Sequence, residues 1–246
     1  MQDGSQCSGI PPLLDGRLSM RVYIGHDSRE QAAFDVAAKT ARGFDCDVFP
    51  VYEDRLRGAG LLTRPTDRRG NTMWDFNSSA PQSTEFAVSR FFVPMLAHSG
   101  WCLAVDCDVV FLQDPHELLE FADNDKAVMV VKHPPLTATG FKMDGQVQTV
   151  YQRKNWSSVI LWNVDHVANK RLNLLTLNQW PGRDLHAFRW LADSEIGDLP
   201  GVANWLVGVQ PKPKRPMIAH YTLGVPAMQG HEHDEHAEIW TEASQR

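Results

Sequence analysis

From residue 20 onward, short apolar runs alternate with longer amphipathic or polar stretches, the pattern expected of strands joined by helices. Arg21-Val22-Tyr23-Ile24-Gly25 predicts a strand ending in glycine. Beyond it, Asp27 and Glu30 have capping-box spacing for a helix start. Ala32, Ala33, Phe34, Val36, Ala37 and Ala38 supply that helix's apolar stripe, and Gly43 ends it. Asp47-Val48-Phe49-Pro50-Val51-Tyr52 follows as a second strand, completing a βαβ unit. Residues 54–82, with Arg55, Arg57, Arg64, Arg68 and Arg69 among Gly, Pro, Thr and Asp, read as a long solvated connection. Ser83 to Ala97 reads as one helix capped by Ser83, with Arg90 one turn beyond Phe86 on or near its apolar face. An arginine there either meets an anion or snorkels to a surface carboxylate.

The second half continues the alternation. Trp101 to Val105 is an apolar strand, Asp114-Pro115 opens a helix through Phe121, and Ala127 to Val131 is a fully apolar strand broken by His133-Pro134-Pro135. Polar Lys154-Asn155-Trp156-Ser157-Ser158 runs into a strand ending at Asn163. Asp165-His166 caps an expected helix from Val167 to about Asn178, and His186 to Leu191 reads as a short helix. Asn204 to Val207 and Met217 to Thr222 are late short strands.

Composition narrows the class. A chain of 246 residues with 43% hydrophobic and 22% charged residues suits one large α/β domain. Residues 1–19 are rich in Gly, Pro and Ser and read as a disordered leader, with Met20 a candidate natural start; residues 20–228 read as the single domain and 229–246 as a polar tail. The net charge of −6 carries no nucleic-acid footprint. No apolar run approaches the roughly 18–20 residues that span a bilayer, and the start lacks a basic, then apolar, signal segment. The four cysteines form no CxxC pair and read as reduced thiols of a cytoplasmic protein. In the tail, His231-Glu232-His233-Asp234-Glu235-His236 fails HExxH spacing because position 235 is Glu, so it reads as solvated.

The chemistry concentrates in Trp101 to Leu112. Here Asp106-Cys107-Asp108 is flanked by core-like residues on both sides. Charged side chains so placed need a partner, and a divalent cation at the carboxyl edge of an α/β sheet supplies one. Asp-x-Asp also occurs at 45–47 and 123–125. The first copy reads as a helix-to-strand turn and the second as a polar turn. A P-loop and a Gly-x-Gly-x-x-Gly fingerprint are absent, so a nucleotide would be held through strand ends and not through a glycine loop.

The ordered set from about Met20 to Met228 resembles the family 8-type retaining glycosyltransferases of the GT-A fold, in a bacterial branch. Five pieces carry it: Ile24-Gly25-His26-Asp27; Ser83-Thr84 to Arg90 with Pro94; Val105 to Val110 around the Asp pair; Asn155-Trp156-Ser157-Ser158 with Asn163; and His220-Tyr221-Thr222 with Gly224 and Pro226. The resemblance implies a mixed, mostly parallel sheet flanked by helices. It implies donor contacts from Ile24, Gly25, His26, Asp27, Arg90, Asp106, Cys107, Asn155, Trp156, Ser157, Ser158 and Gly224, and a metal held by Asp106, Asp108 and His220. Mixed oxygen and imidazole ligation suits Mn²⁺, with Mg²⁺ the other choice. The implied reaction moves a sugar from a nucleoside diphosphate, UDP by resemblance, to a hydroxyl of a glycan, lipid-linked or small-molecule acceptor. Retention would let the leaving phosphate take the acceptor's proton, with Asp193 or Glu195 stabilising an oxocarbenium-like state.

The pattern departs from the family after His220, where Gly224-Val225-Pro226-Ala227-Met228 replaces a common Lys-Pro-Trp; the diphosphate-contacting lysine is then either missing or supplied elsewhere, by Lys212 or Lys214. Three other readings stand beside the transferase. They are a sugar-1-phosphate nucleotidyltransferase, a glycoside hydrolase using a carboxylate pair, and a non-catalytic carbohydrate-binding module on the same fold.

Overall fold

The computed structural model describes residues 19–134, 141–142, 146–147, 153 and 155–245. The leader through residue 18, with Cys7, and Lys154 lie outside them.

The first βαβ unit forms as the pattern predicts. Strand β1 (Arg21–Gly25) buries Val22 to Gly25, α1 (Gln31–Arg42) lays Ala33, Phe34, Ala37, Ala38 and Ala41 on the core, and β2 (Asp47–Val51) pairs parallel to β1. The expected capping box does not form: Glu30 occupies the N-cap with no side-chain cap bond. Its carboxylate turns into the core instead, where it accepts from Cys107 Sγ at 3.0 Å.

Residues 54–82 are not a bare connection. α2 (Glu53–Gly58) runs into them, and they contain an antiparallel meander of β3 (Thr66–Arg69), β4 (Thr72–Asp75) and β5 (Ala80–Gln82). The reason lies in Arg64, which is fully buried: its guanidinium donates to Asp75 and to the carbonyls of Leu177 and Trp180. A buried arginine paired in this way through both terminal nitrogens pins the segment to the body of the domain.

The single helix expected over 83–97 is instead α3 (Phe86–Ser89), a 3₁₀ turn (Arg90–Phe92) and α4 (Val93–Leu96), with Glu85 rather than Ser83 at the N-cap position. Pro94 has no N–H to donate to the carbonyl four residues back, so the helix tightens there. Strand β6 (Trp101–Val105) and β7 (Val109–Phe111) flank the central Asp pair, and a 3₁₀ segment (Pro115–Phe121) follows, capped by Asp114. Next come β8 (Val128–Val130), a small antiparallel pair of β9 (Phe141–Lys142) and β10 (Gln146–Val147), and β11 (Val159–Asn163).

The helix expected over 167–178 is two pieces, a 3₁₀ turn (Val167–Arg171) and α5 (Leu174–Gln179). Asn173 accepts from Thr176 N at 3.1 Å and so starts a new helix between them. Likewise α6 (Gly182–His186) ends where a helix was expected to begin. Phe188 adopts a left-handed φ of 53° with its ring wholly buried against Phe91 and Trp190, which no helix continues through. The chain closes with β12 (Ile196–Asp198), β13 (Trp205–Leu206), β14 (Ile218–His220) and α7 (Ala237–Gln245). The stretch expected as a solvated tail thus contains a docked helix: Ala237, Trp240 and Ala243 recur every three residues and are buried, and Lys39 of α1 donates to Ser244 O.

The central sheet has the order β12-β8-β11-β6-β1-β2, with only β11 running against the rest. A smaller sheet, β13-β14-β7, continues from the chain leaving β6. Cys46, Cys102 and Cys107 are buried free thiols. Among the described residues, no helix is long and apolar enough to cross a membrane.

Candidate metal and donor site

The two sheets meet at the Asp pair. Asp106 leaves the carboxyl end of β6, and its N–H donates to Ser158 O at 3.0 Å. Asp108 precedes β7, and its carbonyl accepts from Tyr221 N at 2.9 Å. Antiparallel pairing of β14 with β7 sets His220 opposite Val109. The result brings Asp106, Asp108 and His220 together, with one ligand atom from each lying within 4.8 Å of the others. His220 Nε2 faces Asp108 Oδ1 at 3.3 Å, and both side chains are buried. Ligands bound at about 2.1–2.3 Å to one ion stand roughly 3–4.5 Å apart, so this donor set fits a divalent cation. The other Asp-x-Asp copies sit in turns as expected: Asp45 has a left-handed φ, and Asp123 accepts from Asp125 N.

Arg90 supports this edge from behind. Its guanidinium pairs with Asp106 Oδ1 and donates to Ser157 O at 2.9 Å, while its Nε donates to Phe86 O. It thus holds a carboxylate of the protein, where a direct contact to the donor was expected. Ser157 Oγ lies 2.6 Å from His186 Nδ1, at the end of α6. Ser158 Oγ donates to Asn155 O at 2.7 Å. Asn155 has a left-handed φ of 63°, and its amide nitrogen is buried without a hydrogen-bond partner among the described residues. Trp156, half-buried, donates from its indole to His133 O.

The first-strand residues divide sharply. Ile24 is wholly buried, and Gly25 lies against the Phe86 ring. Asp27 is wholly buried and accepts from Arg29 N, Nε and Nη2 and from Glu85 N. Burial alone would raise its pKa, but these donors outweigh it and hold the carboxyl below the usual range. Asp27 is therefore committed to the loop. His26 remains half-exposed, its ring 4.5 Å from that of Tyr52. Cys107 is buried and donates to Glu30, whose carboxyl is pushed up to about 7 by burial and by the charge of Asp108. Gly224 has a φ of 148°, and a side chain there would strike the His231 ring. Lys212 and Lys214 are exposed, Lys212 being 6.0 Å from the Trp205 ring centroid.

Asp193 and Glu195 are not brought to this edge. Ile196, just after them, is level with Val128, Trp162 and Cys102, at the start of β6, whereas Asp106 follows its end. They also lie three strands away and are engaged, Asp193 with Arg153 and Glu195 with Arg171 and Ala192 N. Residues missed in the sequence stand closer: Asn204 bonds His220, and His133 is buried with its Nδ1 on Gln210 and its pKa depressed to about 4 by burial and by His220. An Asn immediately before the apolar Trp205-Leu206-Val207 was the available signal for Asn204.

The chain is 39% identical over 229 residues to Protein CDI of Arabidopsis thaliana, in an alignment taking in 89% of this chain and 84% of that protein. The chain belongs to the family of Protein CDI. No family model matches it. Among solved structures, this CDI-family chain superimposes on the glycosyltransferase GlyE of Streptococcus pneumoniae TIGR4 with a TM-score of 0.58 at 15% identity, covering 93% of this chain but 60% of GlyE. It superimposes on the galactosyltransferase LgtC, solved with donor and acceptor sugar analogs, with a TM-score of 0.55 at 15% identity, covering 92% of this chain and 95% of LgtC. The fold is that of GT-A-type glycosyltransferases.

Proposed function

We propose that this protein is a metal-dependent glycosyltransferase that moves a sugar from a nucleoside-diphosphate donor, UDP-linked in our reading, to a hydroxyl of a glycan, lipid-linked or small-molecule acceptor with retention. The observation that carries the proposal is the convergence of Asp106, Asp108 and His220 at the carboxyl edge of a GT-A sheet. Asp106, Asp108 and His220 Nε2 would hold the ion, Mn²⁺ for preference over Mg²⁺ because one ligand is imidazole. When bound, the ion supplies positive charge against the developing diphosphate. Arg90 orients Asp106 and, by taking Ser157 O, ties that carboxylate to the Asn155–Ser158 segment. His26, just after β1, is the half-exposed member of the Ile24–Asp27 set and the one we place against a nucleotide. With attack and departure on one face, the leaving phosphate accepts the hydroxyl proton, and no dedicated protein base is required.

The test is a melting scan with UDP, GDP or no nucleotide, each with Mn²⁺ or EDTA. A ligand at 100 times its Kd stabilises by about 2.7 kcal/mol. At roughly 2–4 °C per kcal/mol this is a rise of at least about 5 °C. We expect the rise with UDP plus Mn²⁺ and its loss in Asp108→Ala. A rise with GDP alone reassigns the donor, and no rise with any nucleotide refutes the donor site.

A further inference from the structure

His220 can ligate an ion through Nε2 only if that nitrogen carries a lone pair, and the structure contains a device that decides this. Asn204 is wholly buried and places Oδ1 at 3.0 Å from His220 Nδ1. The orientation of its amide follows from proton directions. Asn155 O is a carbonyl and can only accept, so Ser158 Oγ spends its proton there, at 2.7 Å. Ser158 Oγ then faces Asn204 as an acceptor, at 2.9 Å, and Asn155 O faces it as another, at 3.3 Å. Both neighbours demand the amide N–H groups, so the Asn204 oxygen must face His220. A carbonyl oxygen there requires the proton on Nδ1 and leaves the Nε2 lone pair toward Asp106 and Asp108.

We infer that Asn204 is a positioning residue that sets the tautomer and ring orientation of His220 for metal binding. The inference rests on the metal reading above. The fold explains why this residue can act: Asn204 ends a 3₁₀ turn (Gly201–Asn204) leading into β13, whose Leu206 pairs with His220. The same Ser158 that orients Asn204 accepts from Asp106 N through its carbonyl. One buried network therefore positions both ends of the cluster, the Asp pair from β6 and the histidine from β14.

The experiment compares the wild type with Asn204→Asp and Asn204→Leu. Both variants lose the amide N–H bonds to Ser158 and Asn155, and only Asp keeps an acceptor for Nδ1. Long-range ¹H–¹⁵N spectra of the metal-free protein at pH 8 read the tautomer, and titration with Mn²⁺ followed by electron paramagnetic resonance reads affinity. The expected result is an Nδ1–H His220 in the wild type and in Asn204→Asp, with Mn²⁺ affinity within about threefold of each other. Asn204→Leu is expected to show mixed tautomers and about 10–100-fold weaker Mn²⁺ binding. An Nε2–H tautomer in the wild type overturns the inference whether or not the variants fold. Equal Mn²⁺ affinity in a folded Asn204→Leu, or a loss in Asn204→Asp as large as in Asn204→Leu, overturns it as well. A wild type that binds no Mn²⁺ overturns the metal reading itself, and this inference with it.

Discussion

Gly25→Ala is the substitution on which this structure makes its sharpest demand. A methyl at Gly25 would sit 2.5 Å from Phe86 Cγ and Cδ2 and 2.9 Å from its Cβ. Ordinary contact begins at 3.4 Å, so the ring or the end of β1 must retreat by about 0.9 Å. Neither is loose. Phe86 is 2% exposed, opens α3, and carries the Arg90 guanidinium over its face at 4.9 Å. Overpacking of this kind costs about 1–3 kcal/mol. At roughly 2–4 °C per kcal/mol, a cost of about 2 kcal/mol lowers Tm by about 4–8 °C. Because Arg90 bonds both Phe86 O and Asp106, the displacement also reaches the candidate metal site. The assay is urea unfolding of the wild type, Gly25→Ala, Phe86→Ala and the double variant. Removing Cγ and Cδ2, the two atoms at 2.5 Å, should relieve most of the clash, giving a coupling energy of at least about 1 kcal/mol in the favourable direction. Had Gly25 been set only for close approach of a nucleotide, Gly25→Ala would keep wild-type stability without ligand. A loss under about 0.5 kcal/mol, or additive effects in the double variant, would refute the packing account.

Three further outcomes follow from buried groups. Asp75→Ala strands the Arg64 guanidinium inside the protein and should cost about 3–5 kcal/mol; urea midpoints check this, and a loss under about 1 kcal/mol would mean the pair is solvated. Trp240→Ala should cost about 3–5 kcal/mol by emptying the contact of α7 with the core, whereas a solvated tail would give no change in Tm. Glu30, raised to about 7, keeps a proton in the folded state that the unfolded chain gives up above about 4.5. Its stabilisation is therefore present below about pH 4.5 and lost as pH rises through 7, up to about 3 kcal/mol at roughly 1.4 kcal/mol per pH unit. Glu30→Gln should abolish that portion of the stability–pH curve, and a variant curve parallel to the wild type would refute the assignment.

Local rules made much of this protein legible. Apolar runs placed β1, β6, β8 and β11 because a buried strand needs little beyond consecutive apolar side chains, and β2, at the sheet edge, was legible from its place after α1 in the βαβ unit. The Ala-rich stripe placed α1, and the core-like flanks singled out Asp106 and Asp108 from the other two Asp-x-Asp copies. The same rules failed where a partner far along the chain changed the meaning of a residue. Arg64 looked solvated until α5 and Asp75 closed around it, and the His-rich tail looked polar until α1 met Trp240.

The sequence by itself thus determined the α/β class, the strand that ends in the Asp pair and the residue types able to hold a cation. Tertiary structure alone decided that β14 pairs with β7 so that His220 meets the aspartates, that Asn204 stands behind its ring, and that Asp193 and Glu195 fall at the other end of the sheet. The physical reason is that periodicity and capping act over a few residues, whereas a side chain's charge and hydrogen-bonding partners are set by strands that pair across the whole chain.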